Sequence, residues 1–262
     1  MGVSAVRAIT RCDSPGTGPR LARLGTVLAG VALVALGILG WAQLAAFRDP
    51  FVPWQEDAAV LLASGWGARW KGAAALAAAT LVGFAVPRFR SAAFILPLAL
   101  AAYPALSGHA AGSERWTGAA MAADWVHVLA AGTWMGALAI LLAMGRDPAY
   151  GHAPLLRHLG AFSLLARGSV AALVLTGVFA SWLHLSGVAA LWGDPYGRVL
   201  ALKLLLVAGL MALGAYNWRV LSPVTGTEAG NRRLLVAARW EVAVGALVLA
   251  VTAWLTGMAP PP

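Results

Sequence analysis

Long runs of apolar residues, nearly free of charge, recur along this chain: Leu24 to Phe47, Asp124 to Met144, Leu159 to Leu185, Tyr196 to Arg219 and Leu234 to Gly257. A helix needs about 20 apolar residues to cross the hydrocarbon core of a bilayer, and each run is long enough. Lipid offers the backbone no water to bond, so only helices and closed barrels are viable there. The runs lack the alternation of a barrel strand. The expected fold is therefore all-α, a polytopic integral membrane helical bundle. Composition agrees. Hydrophobic residues make up 60% of the 262 and charged residues 11%, and the mean hydropathy is +0.76. A soluble domain of this length needs far more charge to cover its surface.

Two shorter runs, about Lys71 to Val86 and Ser91 to Leu106, bring the expected number of transmembrane helices to about seven, with Pro97 and Pro104 kinking the second of these runs. Residues 1–23 carry Arg7, Arg11, Arg20 and Arg23 among prolines and glycines, and read as a basic, disordered cytoplasmic arm. The run after them is long for a signal-peptide core and shows no small-x-small cleavage site, so it is expected to be retained as the first helix. Residues 24–106 then hold helices 1–3, with an outer loop at 48–69, and residues 107–262 hold helices 4–7. The middle of that loop, Ala58 to Ala63, is apolar enough to lie along the membrane surface. Lys and Arg concentrate in the loops that face inward when the N-terminus is inside. Arg88, Arg90, Arg146, Arg157, Arg219, Arg232 and Arg233 fall there, which favours N-in and C-out.

The net charge of +9 is accounted for by topology and by anionic lipid headgroups. No nucleic-acid motif is present. Cys12 is the single cysteine, so neither an internal disulfide nor a CxxC metal site can form. No glycine-rich phosphate loop is present, so coupling to ATP hydrolysis is not encoded.

Chemistry concentrates at one end of the bundle. Asp124 and His127 open helix 4 at a spacing of three, which puts them on one helical face. An ionisable pair at the mouth of a membrane helix is costly and marks a candidate site. The topology brings His109, past helix 3, and His184, at the end of helix 5, to the same outer level. Met121 and Met258 lie there too, and read as interfacial residues before ligands. Imidazole and thioether together suit copper, while imidazole alone also suits zinc, iron and nickel. Asp124 could orient the His127 ring as a supporting carboxylate. Deeper in the membrane, Arg167 and Glu241 sit at similar depth and are expected to pair, and Lys203 has Asp124 as its candidate partner. Trp134 lies two turns below His127, with Gly132 and Gly136 forming a small-xxx-small pair; these read as packing, although Trp134 could wall a site.

Several short segments resemble the CopD family (copper resistance protein D). They are Ser107-Gly-His109, Asp124-Trp-Val-His127 with Trp134-Met-Gly136, Phe162-Ser163, Thr176-Gly177, Tyr196-Gly197 with Lys203, Asn217-Trp-Arg219, and Glu241. The resemblance covers roughly residues 105–260. Leu164 and Leu165 stand where a more polar or basic residue is expected, and Trp218 separates Asn217 from Arg219. The resemblance implies a multi-pass bacterial inner-membrane protein that handles copper by transport or uptake and is not an enzyme. It implies copper as the metal for His109, His127 and His184, and a periplasmic CopC-like protein as a separate partner. Histidine ligation competes with protonation, so copper binding should weaken below the ordinary imidazole pKa of roughly 6.5. Two rivals stay open. Histidines on adjacent helices 4 and 5 could be axial ligands of a b-type haem for transmembrane electron transfer. The histidines could also bind nothing, in a membrane assembly subunit.

Overall fold

The structure is a computed structural model that describes residues 17–113, 116–145, 152–185, 187–221, 223 and 227–258. Among the described residues every regular element is helical and there is no strand. The elements fall into two compact units that divide between Ser113 and Glu114.

The first unit holds α1 (Thr17–Phe47), α2 (Trp54–Ala63) and α3 (Gly65–Ala85), followed by a 3-10 turn (Pro87–Phe89). Three short helices come next: α4 (Arg90–Ala93), α5 (Leu96–Leu100) and α6 (Ala102–Ser107). The loop at 48–69 thus contains a helix of its own, α2, which spans its apolar middle. Ser64 separates α2 from α3 and caps α3, accepting a hydrogen bond from the Gly67 amide at 3.2 Å. The helices α1 and α3 pack closely through glycines. A Cβ at Gly25 would meet the Phe84 ring at 2.7 Å, and one at Gly40 would meet Trp70 at 2.9 Å. The Trp70 indole N–H donates to the Leu36 carbonyl at 2.9 Å, which gives a half-buried polar group its partner. Leu36, Ala73 and Ala77 form the core of this unit, with Leu100 and Tyr103 against them.

The second long helix of this unit ends at a proline. Val86 is extended (φ −100°, ψ 116°) before Pro87, the conformation that a following proline imposes. The segment Pro87–Ala93 then leaves α3 at 118°. The expected third span, Ser91 to Leu106, is broken into α4, α5 and α6. Proline removes a backbone donor and clashes with the preceding turn, and Pro97 and Pro104 do so twice within this stretch. Five helices of the described chain are long and apolar enough to cross a membrane, or six if α3 and its bent continuation form one span, against the expectation of about seven.

The second unit holds α7 (Thr117–Gly145), α8 (His152–His184), the short α9 (Ala190–Gly193), α10 (Pro195–Tyr216) and α11 (Glu228–Thr256). Between α10 and α11 the chain winds into a π-helical turn, Asn217–Leu221. The core is shared by four long helices: Trp134, Leu138, Leu141 and Leu142 from α7, Leu210 from α10, and Leu234, Ala237 and Ala238 from α11, with Phe162, Val170 and Leu173 of α8 packed on them. A second cluster lies towards the N-terminal end of α10, where Tyr196, Val199 and Leu200 meet Leu255 of α11. Gly245 lets α11 approach α7, since a Cβ there would lie 2.5 Å from Met135 Sδ. The outward faces are apolar as well: Leu175 and Val178 on α8, Leu205 on α10 and Leu247 on α11 are all exposed. Outside lipid such faces would be a liability; against acyl chains they are what is required.

Candidate functional site

The site builds outward from His127. It lies on α7 one turn above the buried Ala130 and two turns above the buried Trp134, on the face that packs against the other helices. Across from it stands α8. The His127 Nδ1 atom lies 2.8 Å from the Thr176 hydroxyl. Thr176 also reaches the carbonyl of Ala172, at 2.7 Å, on its own helix. This back-bond is the usual habit of a threonine inside a helix.

The pair of contacts decides the tautomer. A hydroxyl has one proton and two lone pairs. Thr176 directs its proton to the Ala172 carbonyl, so towards His127 it is an acceptor. Nδ1 therefore carries the ring proton, and Nε2 keeps its lone pair. That is the form in which a histidine ligates a metal, with its other nitrogen fixed by a hydrogen bond. The residue after Thr176 is a glycine, and a Cβ at Gly177 would lie 3.9 Å from His127 Cε1, so α8 leaves the ring unobstructed there.

Lys203 of α10 completes the arrangement. It is partly buried and lies within electrostatic reach of both His127 and Asp124. Asp124 lies within electrostatic reach of Lys203, whereas the partner that holds the His127 ring is Thr176. Sequence reasoning did not give Thr176 this role. The available signal was a short hydroxyl side chain at matching depth on the next helix.

The remaining candidates divide. Met121 is partly buried on α7, one turn before Asp124. Met258 packs on the cluster of Tyr196, Val199, Leu200 and Leu255, as a packing residue would. Trp134 is in the middle of the four-helix core, with 7% of its surface exposed, and packs there. His109 opens a 3-10 turn, His109–Gly112, in the first unit, and His184 ends α8; the side chains of both lie outside the described residues. Among the described residues no three His, Cys, Asp or Glu side chains gather into a metal-holding group.

The expected pair of Arg167 and Glu241 does not form. Arg167 is exposed, bonds the Ser163 carbonyl at 3.3 Å, and lies over the Trp218 ring at 5.3 Å. Glu241 is buried, and its carboxyl accepts a hydrogen bond from Asn217 Nδ2. Equal depth along two helices is not a shared face. The arginine leaves the bundle and finds an aromatic ring, and the carboxyl stays inside it.

Comparison with known proteins bears on the same unit. The model of the CopD family, copper resistance protein D, matches residues 156–255. No curated protein and no solved structure matches the chain. The matched stretch covers most of α8 and all of α10, the π turn and nearly all of α11. It thus includes Thr176, Lys203, Asn217 and Glu241, and begins after His127.

Proposed function

From the premise that residues 156–255 are a CopD-family region in a multi-pass membrane protein, we propose that this protein moves copper across the bacterial inner membrane. Copper is its cargo, and the protein is a transporter rather than an enzyme. The observation that carries this reading is His127, held at Nδ1 by Thr176 with Nε2 left as a metal donor. Imidazole is a donor that copper accepts. His109 and His184 are the proposed further ligands, at the periplasmic ends of their segments in an N-in, C-out chain. Lys203 neutralises Asp124 beside the site and keeps the local field from trapping the cation. A periplasmic CopC-like protein is the proposed donor or recipient of the ion.

The test is metal stoichiometry on purified full-length protein, with wild type beside His127→Ala. The expected result is colourless protein that binds copper, and a variant that binds less of it. Equal copper on both proteins would sink the assignment of His127. A Soret band on the wild type would replace the transport reading with haem-based electron transfer.

A further inference from the structure

Outside the His127 site, a carboxyl lies buried in the second unit with no part in copper binding. Glu241 is 5% exposed and Asn217 is 7% exposed, and the two meet in the interior of the second unit. Asn217 Nδ2 donates to one carboxyl oxygen of Glu241. The other end of the same amide, Asn217 Oδ1, is buried with no hydrogen-bond partner. Buried amide oxygens are rarely left so, since an orphaned acceptor costs about 1–3 kcal/mol.

A carboxylate cannot help Asn217 Oδ1, because it has only acceptors to offer. A carboxylic acid can. One oxygen of the acid accepts from the amide N–H, and the O–H on the other donates to the amide oxygen. The two side chains then close a ring of two hydrogen bonds with every buried polar atom satisfied. We propose that Glu241 is a proton-binding site, held as the neutral acid in a two-bond ring with Asn217. The inference goes beyond copper transport and does not depend on it.

The surroundings fit a neutral carboxyl. The elements packed on α11 are α7, α10 and the π turn. Their charged or titratable groups go elsewhere. Arg219 of the turn lies over the Trp218 ring at 5.8 Å, and Arg167 of α8 lies over the same ring. Lys203 of α10 lies within electrostatic reach of Asp124 and His127 of α7, roughly 20 Å along the helix from Asn217 at the usual rise per residue. Arg198 and Tyr216 of α10 are exposed or at its far end, Tyr196 packs in the second apolar cluster, and Arg239 on α11 itself is exposed. Among the described residues, Asn217 is the one hydrogen-bond partner of the Glu241 side chain. An uncompensated charge in this interior would be expensive.

The placement gives the proton a lever. Asn217 is the first residue of the π-helical turn, and such turns are frequent at functional sites. Removing the proton sets the Glu241 carboxylate against Asn217 Oδ1 and leaves the Nδ2–H bond alone to hold this turn to α11, where the acid makes two bonds.

Infrared spectroscopy of the purified full-length protein in H₂O and D₂O, with and without Glu241→Gln, tests this. At neutral pH the wild type should show a carboxylic-acid C=O band that shifts in D₂O and is missing from Glu241→Gln. Glutamine mimics the acid, donating to Asn217 Oδ1 and accepting from Nδ2, so Glu241→Gln should melt like the wild type, while Glu241→Ala melts lower. A difference spectrum holding only carboxylate bands overturns the proposal. So does a Glu241→Gln variant that fails to fold. No copper enters the measurement, so its failure would leave the transport reading standing, and the reverse also holds.

Discussion

At the scale of single residues, the weight falls on a threonine. Thr176 sets which nitrogen of His127 is free, and does so through one hydroxyl that is committed at the same time to its own helix. Thr176→Val keeps the shape and removes the oxygen. Copper affinity, measured by competition with a chromophoric chelator, should fall about 10–100-fold, the usual cost of losing the group that orients a ligating histidine. An unchanged affinity would show that the hydroxyl does not set the ring. The histidine itself was legible in the sequence, because an imidazole near an acid in an apolar run has to be explained. Its partner was not, because a threonine in a membrane helix satisfies itself on its own helix, and matching depth was the one sign of what else it touches. Arg167 and Glu241 mislead for a related reason. Residue counting along a helix yields depth, but the facing direction depends on how far each helix is rotated, and one extra residue in the π turn changes what α11 meets.

At the scale of elements, the long spans follow from length and hydropathy, and the breaks between them follow from proline. What hydropathy cannot separate is a short span from a chain that bends back. The stretch from Lys71 to Leu106 is apolar throughout its two runs, yet the structure turns it by 118° at Pro87 and divides the rest into three short helices. The start of α10 shows how local signals do suffice elsewhere. Asp194 caps the helix, accepting from the Gly197 amide at 2.7 Å, and Pro195 occupies the first turn. Gly197 is required there for room: a Cβ on it would overlap the Ala190 carbonyl and the Leu191 Cα of α9. Because the obstruction is backbone, it cannot swing aside. Gly197→Ala should therefore lower the melting temperature of the purified protein by a margin corresponding to about 1–3 kcal/mol, whereas Gly209→Ala, with open space around it, should not lower it. Equal melting of the two variants would remove the close approach of α9 to α10 as a constraint.

For the molecule as a whole, the number of crossings decides which ends face which side. Five spans put the two termini on opposite sides of the membrane, and six put them on the same side. The basic loops favour N-in and C-out, which five spans satisfy with Arg88 and Arg90 then on the outer side. Cysteine labelling in intact cells checks it directly, since Cys12 is the single native cysteine. A membrane-impermeant maleimide should miss Cys12. In a Cys12→Ser background it should label Gly187→Cys, between α8 and α10, and miss Thr227→Cys, before α11. Labelling of Thr227→Cys but not Gly187→Cys would invert the second unit, and would place His127 and Lys203 towards the cytoplasm.

The seam between α7 and α11 has a vulnerability of its own. Met135 Sδ rests where Gly245 has no side chain, with so little room that even a Cβ would lie 2.5 Å away. Peroxide, which copper helps to activate, turns a thioether into a sulfoxide, a bulkier and polar group. That added oxygen has nowhere to go but between the two helices, so oxidation of this one sulfur acts as a wedge. Oxidation of Met135 would therefore loosen the contact between α7 and α11.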